Sequence, residues 1–461
     1  MASRSTMRRL GGRATATCAT QCTVSGAARP SSLLYASPLP SMARRDLATA
    51  TPAQTPVEGL EKFVSKYQRQ TFDLDAPHHD GSASSVVEGL LRRALPTALA
   101  GGAEAREDPM KVALRLVEKE VKSLNGSIQQ QIEAVTERPL LAKVASYFFK
   151  LQGKRIRPVL VLLTAKAIAV HLNPALGAGL TPENADVPVS DRQFSLAEIM
   201  EMIHTASLMH DDIIDQAETR RGMPAAHKVW DSKKAVLAGD FLLARASVKI
   251  ARLREHEVTE LLSTMIADLV EGEFFQMRTN VEKEGKEMTQ FDYYMRKTYL
   301  KTASLLEKCC SCAAILGEAD RATINIAKAY GAHLGYAFQL VDDMLDFTGT
   351  SSDLGKPAAV DLSLGLATAP VLFAMEEFGE LRALVERGFK EEGDVEKAFS
   401  LVQRSQGIAR THALAHAGVD TQQPQHREHC AKAVETIGQL APSPYRDALA
   451  RLTEKVLSRS S

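Results

Sequence analysis

Two acidic strings of the form Asp-Asp-x-x-Asp stand inside apolar, helix-forming stretches of this chain. They are Asp211, Asp212 and Asp215, and Asp342, Asp343 and Asp346. On a helix, the first and last carboxylates of each string lie one turn apart on the same face. Carboxylates this close repel one another unless a cation or a basic side chain joins them. A chance acidic surface patch would explain one such string, but two matching strings favour a pair of half-buried helices facing each other across a cavity.

The composition agrees with a helical protein and argues against some classes of function. No long stretch alternates polar and apolar residues as a half-buried strand does. Lys plus Arg and Asp plus Glu are equal, at 56 each, and this balance argues against a nucleic-acid-binding protein. No apolar run is long enough to suggest a transmembrane segment. The cluster Cys309, Cys310 and Cys312 lacks a second pair at zinc-ligand spacing, so we interpret it as helix packing.

The first 45 residues contain seven Arg and no Asp or Glu. Together with abundant Ser, Thr and Ala, this composition is typical of an organellar transit peptide, and a disordered basic tail is the alternative. The high Arg content favours a mitochondrial over a plastid address. We therefore expect a disordered transit peptide over 1–50, a weakly ordered lead-in over 51–107 and a helical domain over 108–461.

Apolar residues recur at helical spacing through most of that domain. A loop is expected over 172–190, because Pro, Gly, Asn and Asp are frequent there. The predicted helices after this loop cover about 194–217, 232–255, 257–282, 290–317, 320–347, 365–387, 393–404, 426–438 and 443–458.

Clusters that offer only oxygen ligands suit Mg²⁺, which keeps several waters and binds through a few carboxylates together with substrate phosphates. The acidic strings thus predict a substrate that carries phosphate. Basic residues stand near them in sequence or in turns that could approach them: Lys154, Arg157, Arg220, Arg221, Lys301 and Lys356. Each basic residue alone would be interpreted as a solvated surface charge, but their combination with two acidic helices indicates a binding site for a diphosphate.

Further strings accompany the two acidic ones. They are Gly153-Lys154-Arg155-Ile156-Arg157-Pro158, His204-Thr205-Ala206-Ser207-Leu208-Met209-His210, Gly239-Asp240-Phe241-Leu242, Tyr299-Leu300-Lys301-Thr302, Phe338-Gln339-Leu340-Val341 and Leu354-Gly355-Lys356-Pro357 with Asp361-Leu362. In order and spacing they resemble the signature blocks of the long-chain trans-polyprenyl diphosphate synthases, of the mitochondrial solanesyl or decaprenyl type. The resemblance covers roughly 108–460.

The resemblance implies an all-α bundle of the isoprenoid-synthase type around a deep central cavity. It implies head-to-tail condensation of isopentenyl diphosphate with an allylic diphosphate primer, using about two or three Mg²⁺ ions. A homodimer is expected, with a hetero-oligomer as the alternative. With a mitochondrial address, in the matrix or at the inner membrane, the product would be handed to a membrane for a ubiquinone side chain.

The resemblance also implies roles for individual residues. Asp211, Asp215 and Asp342 would be the chief magnesium ligands, supported by Asp212, Asp343 and Asp346. Lys154, Arg157, His204 and Arg221 would bind isopentenyl diphosphate. The allylic diphosphate or the developing cation would face Arg220, Lys301, Thr302, Gln339 and Lys356, and of these Lys301, Thr302 and Gln339 would act in catalysis.

Product length is expected to depend on the helix that carries the first acidic string. Ala206 and Ser207 lie about one turn before Asp211, where bulky residues close the cavity in short-chain members of the family. Both are small here, so the product is expected to extend past them toward Ile203 and Met200. The alternatives are a shorter-chain synthase of the geranylgeranyl type, a non-catalytic regulatory subunit and a terpene cyclase.

Overall fold

A computed structural model of the protein describes residues 107–150, 153, 155–220, 222–277, 289–348, 359–416 and 429–457. The predicted transit peptide and almost all of the predicted lead-in lie outside these residues, so the division into domains stays a prediction. The described part is almost entirely helical, which confirms the predicted fold class. Its first helices are α1 (Pro109–Leu116), α2 (Glu118–Val135), α3 (Pro139–Ala145), α4 (Ile156–Leu172) and α5 (Asp191–Ile214), with 3-10 turns at Phe148–Lys150 and Pro174–Gly177.

After α5, which contains most of the first acidic string, two short strands pair antiparallel, β1 (Thr219–Arg220) and β2 (Met223–Pro224). The helices up to the second acidic string are α6 (Ala226–Val229), α7 (Ser232–Arg252), α8 (His256–Met277), α9 (Gln290–Thr298), α10 (Ser304–Leu316) and α11 (Arg321–Thr348), and a π-helical turn, Tyr299–Ala303, joins α9 to α10. The last helices are α12 (Val360–Ser363), α13 (Ala369–Glu377), α14 (Leu381–Glu386), α15 (Asp394–Arg404), α16 (Gly407–His416), α17 (His429–Ile437) and α18 (Pro444–Leu457).

Two helices, α4 and α10, form the centre of the core. They are apolar on nearly all sides, and such helices are buried in a globular protein. The side chains from Val159 to Leu163 on α4 have no exposed surface. On α10 the free thiols of Cys309, Cys310 and Cys312 are likewise buried, and burial raises the pKa of Cys310 to about 12. The cysteines therefore pack as small apolar groups.

The contact between α11 and the π-helical turn positions the second acidic string. A Cβ atom at Gly335 of α11 would lie only 2.5 Å from the Cα atom of Ala303. Because glycine has no Cβ, α11 can approach the turn at backbone distance. This approach lets Thr302 on the turn bond to Gln339 of α11, which in turn bonds to Asp343 of the second string.

The structure differs from the sequence-based expectation at several helix ends. The stretch predicted as one helix over 365–387 contains two helices, α13 and α14, because Phe378 adopts an extended backbone conformation (φ −120°, ψ 90°) and Gly379 follows it. Helix α16 was not predicted. Helix α5 begins three residues before the predicted 194, where Ser190 and Gln193 form a capping box.

Candidate active site

The three carboxylates of the first acidic string differ in exposure. Asp212 is fully buried and Asp211 partly buried, whereas Asp215, which caps the end of α5, is exposed. Oδ1 of Asp212 accepts hydrogen bonds from Arg220, at 2.7 Å from Nε and also from Nη2. Arg220 lies on β1, so the hairpin after α5 folds its guanidinium back onto the helix. Asp211 and Asp215 remain as the more accessible carboxylates.

Asp211 holds its proton unusually tightly. The pKa of its carboxyl is raised to about 7, mainly by burial and next by the negative charge of Glu273 on α8. Lys301 opposes both effects, and Asp215 adds to them. Repulsion among these carboxylates is therefore only partly balanced by the protein's own cations, and a divalent cation would balance it further.

Lys301 is a second basic residue that acts on the first cluster, and it stands on the π-helical turn. Its Nζ lies 2.5 Å from Oε1 of Glu273 and donates a hydrogen bond of 2.6 Å to Oε1 of Gln276. Gly272 allows this approach, because a Cβ there would lie 2.7 Å from Cγ of Lys301. Single π-helical turns inside α-helices are frequent at functional sites. Here the turn directs the side chain of Lys301 toward α8.

The neighbouring residue, Thr302, reaches the second cluster. Its hydroxyl donates to Oε1 of Gln339 at 2.8 Å, and Nε2 of Gln339 donates to Oδ1 of Asp343 at 2.8 Å. Oδ2 of Asp343 accepts a bond of 2.6 Å from the hydroxyl of Tyr294. Asp343 and Tyr294 are only 3% and 2% exposed, so this chain of bonds is shielded from water. The adjacent residues 301 and 302 therefore connect the two acidic strings.

The last carboxylate of the second string anchors the segment that follows α11. Asp346 accepts backbone hydrogen bonds from Val360, at 3.1 Å, and from Asp361, at 3.0 Å. This brings a further carboxylate to the cluster, that of Asp361. The pKa of Asp361 is raised to about 7, mainly by burial and also by the charges of Asp343 and Asp346. The positive charge of Lys297 acts in the opposite direction.

Two arginines at the start of α4 have different contacts: Arg155 precedes the helix and Arg157 lies in its first turn. Arg155 has a positive φ of 47°, is buried, and forms an ion pair with Glu201 of α5. It also donates to the carbonyl of Phe149 at 3.3 Å, so it fixes the turn against α5. Nη1 of Arg157 lies 2.9 Å from Nε2 of His204. The structure thus brings together two of the residues predicted to bind isopentenyl diphosphate.

Three predicted substrate-binding residues, Lys154, Arg221 and Lys356, lie outside the described residues. Of the predicted chain-length residues, Ala206, Ile203 and Met200 are fully buried on α5. Ser207 is partly buried, and its hydroxyl donates to the carbonyl of His204 at 2.9 Å.

Several residues of the site carried no assigned role in the sequence-based prediction. Glu273 and Gln276 are three residues apart on α8, and Tyr294 lies seven residues before Lys301, so helical spacing alone places each on a definite face. Spacing does not show that these faces meet the acidic strings. Asp361 belongs to one of the family-like strings, and its proximity to Asp343 and Asp346 follows from the fold.

The donor set fits a divalent metal held jointly with a substrate. Oδ2 of Asp212 is buried and has no hydrogen-bond partner among the described residues, and the available ligands are carboxylates, which suit Mg²⁺. Within the same residues, no group of three or more His, Cys, Asp or Glu side chains forms a ready-made metal cage. That geometry agrees with a metal bound through one or two carboxylates and completed by phosphate oxygens.

Comparison with known proteins gives the same picture. A family model described as polyprenyl synthetase matches residues 138–402. A probable mitochondrial hexaprenyl pyrophosphate synthase from Neurospora crassa is 43% identical over 410 residues, covering 82% of this chain and 88% of the relative. An all trans-polyprenyl-diphosphate synthase from Homo sapiens is 41% identical over 356 residues, covering 77% of this chain and 78% of the relative.

Solved structures share the fold. A decaprenyl diphosphate synthase from Rhodobacter capsulatus superposes with a TM-score of 0.63 at 28% identity, covering 76% of this chain and 99% of the other. A polyprenyl synthase from Caulobacter crescentus, solved with calcium and isoprenyl diphosphate, gives 0.62 at 27% identity, covering 78% and 100%. The family model and the relatives establish that this chain belongs to the polyprenyl synthetase family.

Proposed function

We propose that the protein condenses isopentenyl diphosphate with an allylic diphosphate, head to tail, to make a long all-trans polyprenyl diphosphate. The observation that carries this proposal is the pair of adjacent residues that reach both acidic clusters. Lys301 contacts Glu273 beside Asp211, and Thr302 is linked through Gln339 to Asp343. One site therefore offers carboxylates for metal, an ammonium for phosphate, and oxygen dipoles between them.

Enzymes of this family use a divalent metal, and we propose Mg²⁺, as about two or three ions, for this one. Asp211, Asp215 and Asp342 would be its chief ligands. Magnesium held by these carboxylates would supply positive charge to the leaving diphosphate, which would favour departure of the allylic group as a carbocation. Asp212 and Asp343 would support these ligands mainly through position, since Arg220 holds one and Tyr294 with Gln339 holds the other.

The protein's own groups then act on the two ends of the allylic substrate. The ammonium of Lys301, oriented by Glu273 and Gln276, faces the leaving diphosphate. The hydroxyl of Thr302 donates a hydrogen bond to Gln339, which leaves the lone pairs of the hydroxyl oxygen free to stabilise a developing cation. The isopentenyl double bond attacks that cation to form the new carbon–carbon bond, and the proton that is then lost passes to the released diphosphate.

Arg157 and His204 would hold the diphosphate of isopentenyl diphosphate. Their side chains lie 2.9 Å apart, and a guanidinium and an imidazole together can donate several hydrogen bonds to phosphate oxygens. The ion pair between Arg155 and Glu201 would keep this turn in place during turnover.

The product is proposed to be long, because Ala206 and Ser207, which precede the first acidic string by about one turn, are small. The growing chain would then reach Ile203 and Met200, which are apolar and fully buried on α5. A ubiquinone side chain in the mitochondrion is the proposed use of this product, supported by the Arg-rich, acid-free first 45 residues.

A homodimer is proposed as the working assembly, with a hetero-oligomer as the competing outcome. Large apolar side chains are exposed on α7 and α8, among them Leu237, Val270, Phe274 and Met277. Val270, Phe274 and Met277 recur at helical spacing and so share one face of α8, and an exposed apolar face can mark an interaction site. Within the described part of the chain, no helix has the length and apolarity needed to cross a membrane; delivery of the product to a membrane is part of the proposal.

Incubation of the purified protein with Mg²⁺, isopentenyl diphosphate and a radiolabelled allylic primer tests the proposal, with the products sized by chromatography. Long linear products are expected. Asp211→Asn should lower the rate by at least about a hundredfold, since a metal ligand is lost, whereas Asp186→Asn, which changes an exposed carboxylate, should not.

Each other outcome indicates a different function. Short linear products would favour a geranylgeranyl-type synthase, and cyclic hydrocarbons would favour a terpene cyclase. No condensation by a folded protein would contradict the proposal for the isolated chain and favour a regulatory subunit.

A further inference from the structure

Lys297 lies beside the second acidic cluster, over the ring of Tyr294, and has no role in the reaction as proposed above. It stands on α9, one turn before Lys301. The carboxylates of Asp343 and Asp361 favour its charged form, and so does Glu273 from the other cluster, whereas Lys301 disfavours it. Burial lowers the pKa of its ammonium. Lys297 is therefore a cation placed inside the site, within the electrostatic reach of both acidic groups.

The two clusters differ in how their charge is balanced. At Asp211, both Lys301 and Arg220 offset the neighbouring carboxylates. At Asp343 and at Asp361, the cation that acts on the carboxyl is Lys297. Asp342 and Asp346 add further negative charge around Asp361. Lys297 thus offsets the negative charge of the second cluster, as Lys301 and Arg220 offset that of the first.

The Lys297 ammonium lies over the face of the Tyr294 ring, 5.7 Å from the ring centroid. The same ring places its hydroxyl on Asp343. Tyr294 therefore keeps Lys297 beside the cluster without placing it directly on the carboxylate. Because the aromatic face holds the cation, the carboxylates stay open to other ligands.

We propose that Lys297 is a positioning residue that gives the second acidic cluster a protein-held positive charge, so that this cluster takes up magnesium only together with a diphosphate. The inference rests on the proposed magnesium site. A fixed positive charge repels a divalent cation at close range, and the negative charge of an arriving diphosphate cancels this repulsion. Loading of the second cluster would then be coupled to substrate binding.

The test measures Mg²⁺ binding by titration calorimetry, with and without inorganic diphosphate. Removal of the charge in Lys297→Met should tighten Mg²⁺ binding without diphosphate by about tenfold, because one charge near a divalent cation in a partly buried site has an effect of this order. Lys297→Arg keeps the charge and should behave as the parent protein does. Lys122→Met removes an exposed lysine and controls for net charge.

A second measurement follows the metal-free protein. In chelator, Lys297→Met should unfold at a lower temperature than Lys122→Met, and added Mg²⁺ alone should abolish this difference. Lys297→Gln provides a second neutral variant should the Met variant not fold. Equal Mg²⁺ affinities of the parent and the neutral variants would refute the role of Lys297 and leave the metal site standing. If the parent bound no Mg²⁺ even with diphosphate, the proposed metal site itself would be wrong.

Discussion

The hydrogen bond between Tyr294 and Asp343 offers a sharp test of how the second acidic string is held. Both side chains are buried, and the hydroxyl of Tyr294 lies 2.6 Å from Oδ2 of Asp343. A hydrogen bond to a charged group contributes roughly 1.5–3 kcal/mol. Tyr294→Phe removes only the hydroxyl, so we expect the free energy of unfolding to fall by about 2 kcal/mol.

The loss should depend on pH in a defined direction. The bond from Tyr294 lowers the pKa of Asp343, while burial, which is the larger effect, raises it. Without the hydroxyl the pKa of Asp343 rises further, so the variant is penalised most where the carboxyl must be ionised. The difference between variant and parent should therefore be larger near about pH 8 than near about pH 5.

The neighbouring tyrosine supplies the control. Tyr293 donates a bond of the same length, 2.6 Å, but to the neutral carbonyl of Phe275. Tyr293→Phe should cost about 1 kcal/mol at either pH. Urea unfolding in chelator measures both variants. Equal losses for the two variants, or a Tyr294→Phe loss that does not change with pH, would refute the idea that the hydroxyl holds an ionised Asp343.

Three further outcomes are expected. In metal-free protein, the pKa of Asp211 is 3.8 in the unfolded state and about 7 in the folded state, so the free energy of unfolding should fall as pH rises between these values. Asp211→Asn should reduce this pH dependence, as measured by urea unfolding at several pH values. Arg155→Met leaves Glu201 buried without its partner and should cost about 3–5 kcal/mol, most of which the added Glu201→Met should restore. Ala206→Phe should shorten the product in a chain-length assay, and an unchanged product would show that α5 does not set its length.

The fold could be predicted from the sequence where helix periodicity is strong. Helices α5, α7, α8 and α11 begin within a few residues of their predicted starts, because each carries a continuous apolar face. The break between α13 and α14 was missed although Gly379 marks it, since the apolar pattern continues through the break. Helix boundaries depend on capping and local backbone conformation, which periodicity does not contain.

The candidate site shows a similar division. The family resemblance implied that Lys301, Thr302 and Gln339 act together with the acidic strings. Hydrogen bonds link Thr302 and Gln339 to Asp343, whereas Lys301 contacts Glu273 and Gln276. The sequence did not predict Tyr294 or Lys297, since a tyrosine or lysine on a helix is ordinary until a partner from a distant helix is known. Such partners become visible only when α9 and α11 are packed together.

A shared feature of the two clusters is that the cations among the described residues do not fully neutralise them. Asp211 in one cluster and Asp361 in the other both have their pKa raised to about 7, first by burial and then by neighbouring carboxylates. Under the proposed function, a metal that takes Asp211 as a ligand must displace the proton that this carboxyl holds below that pKa. Magnesium affinity should therefore rise with pH up to about 7 and level off above it.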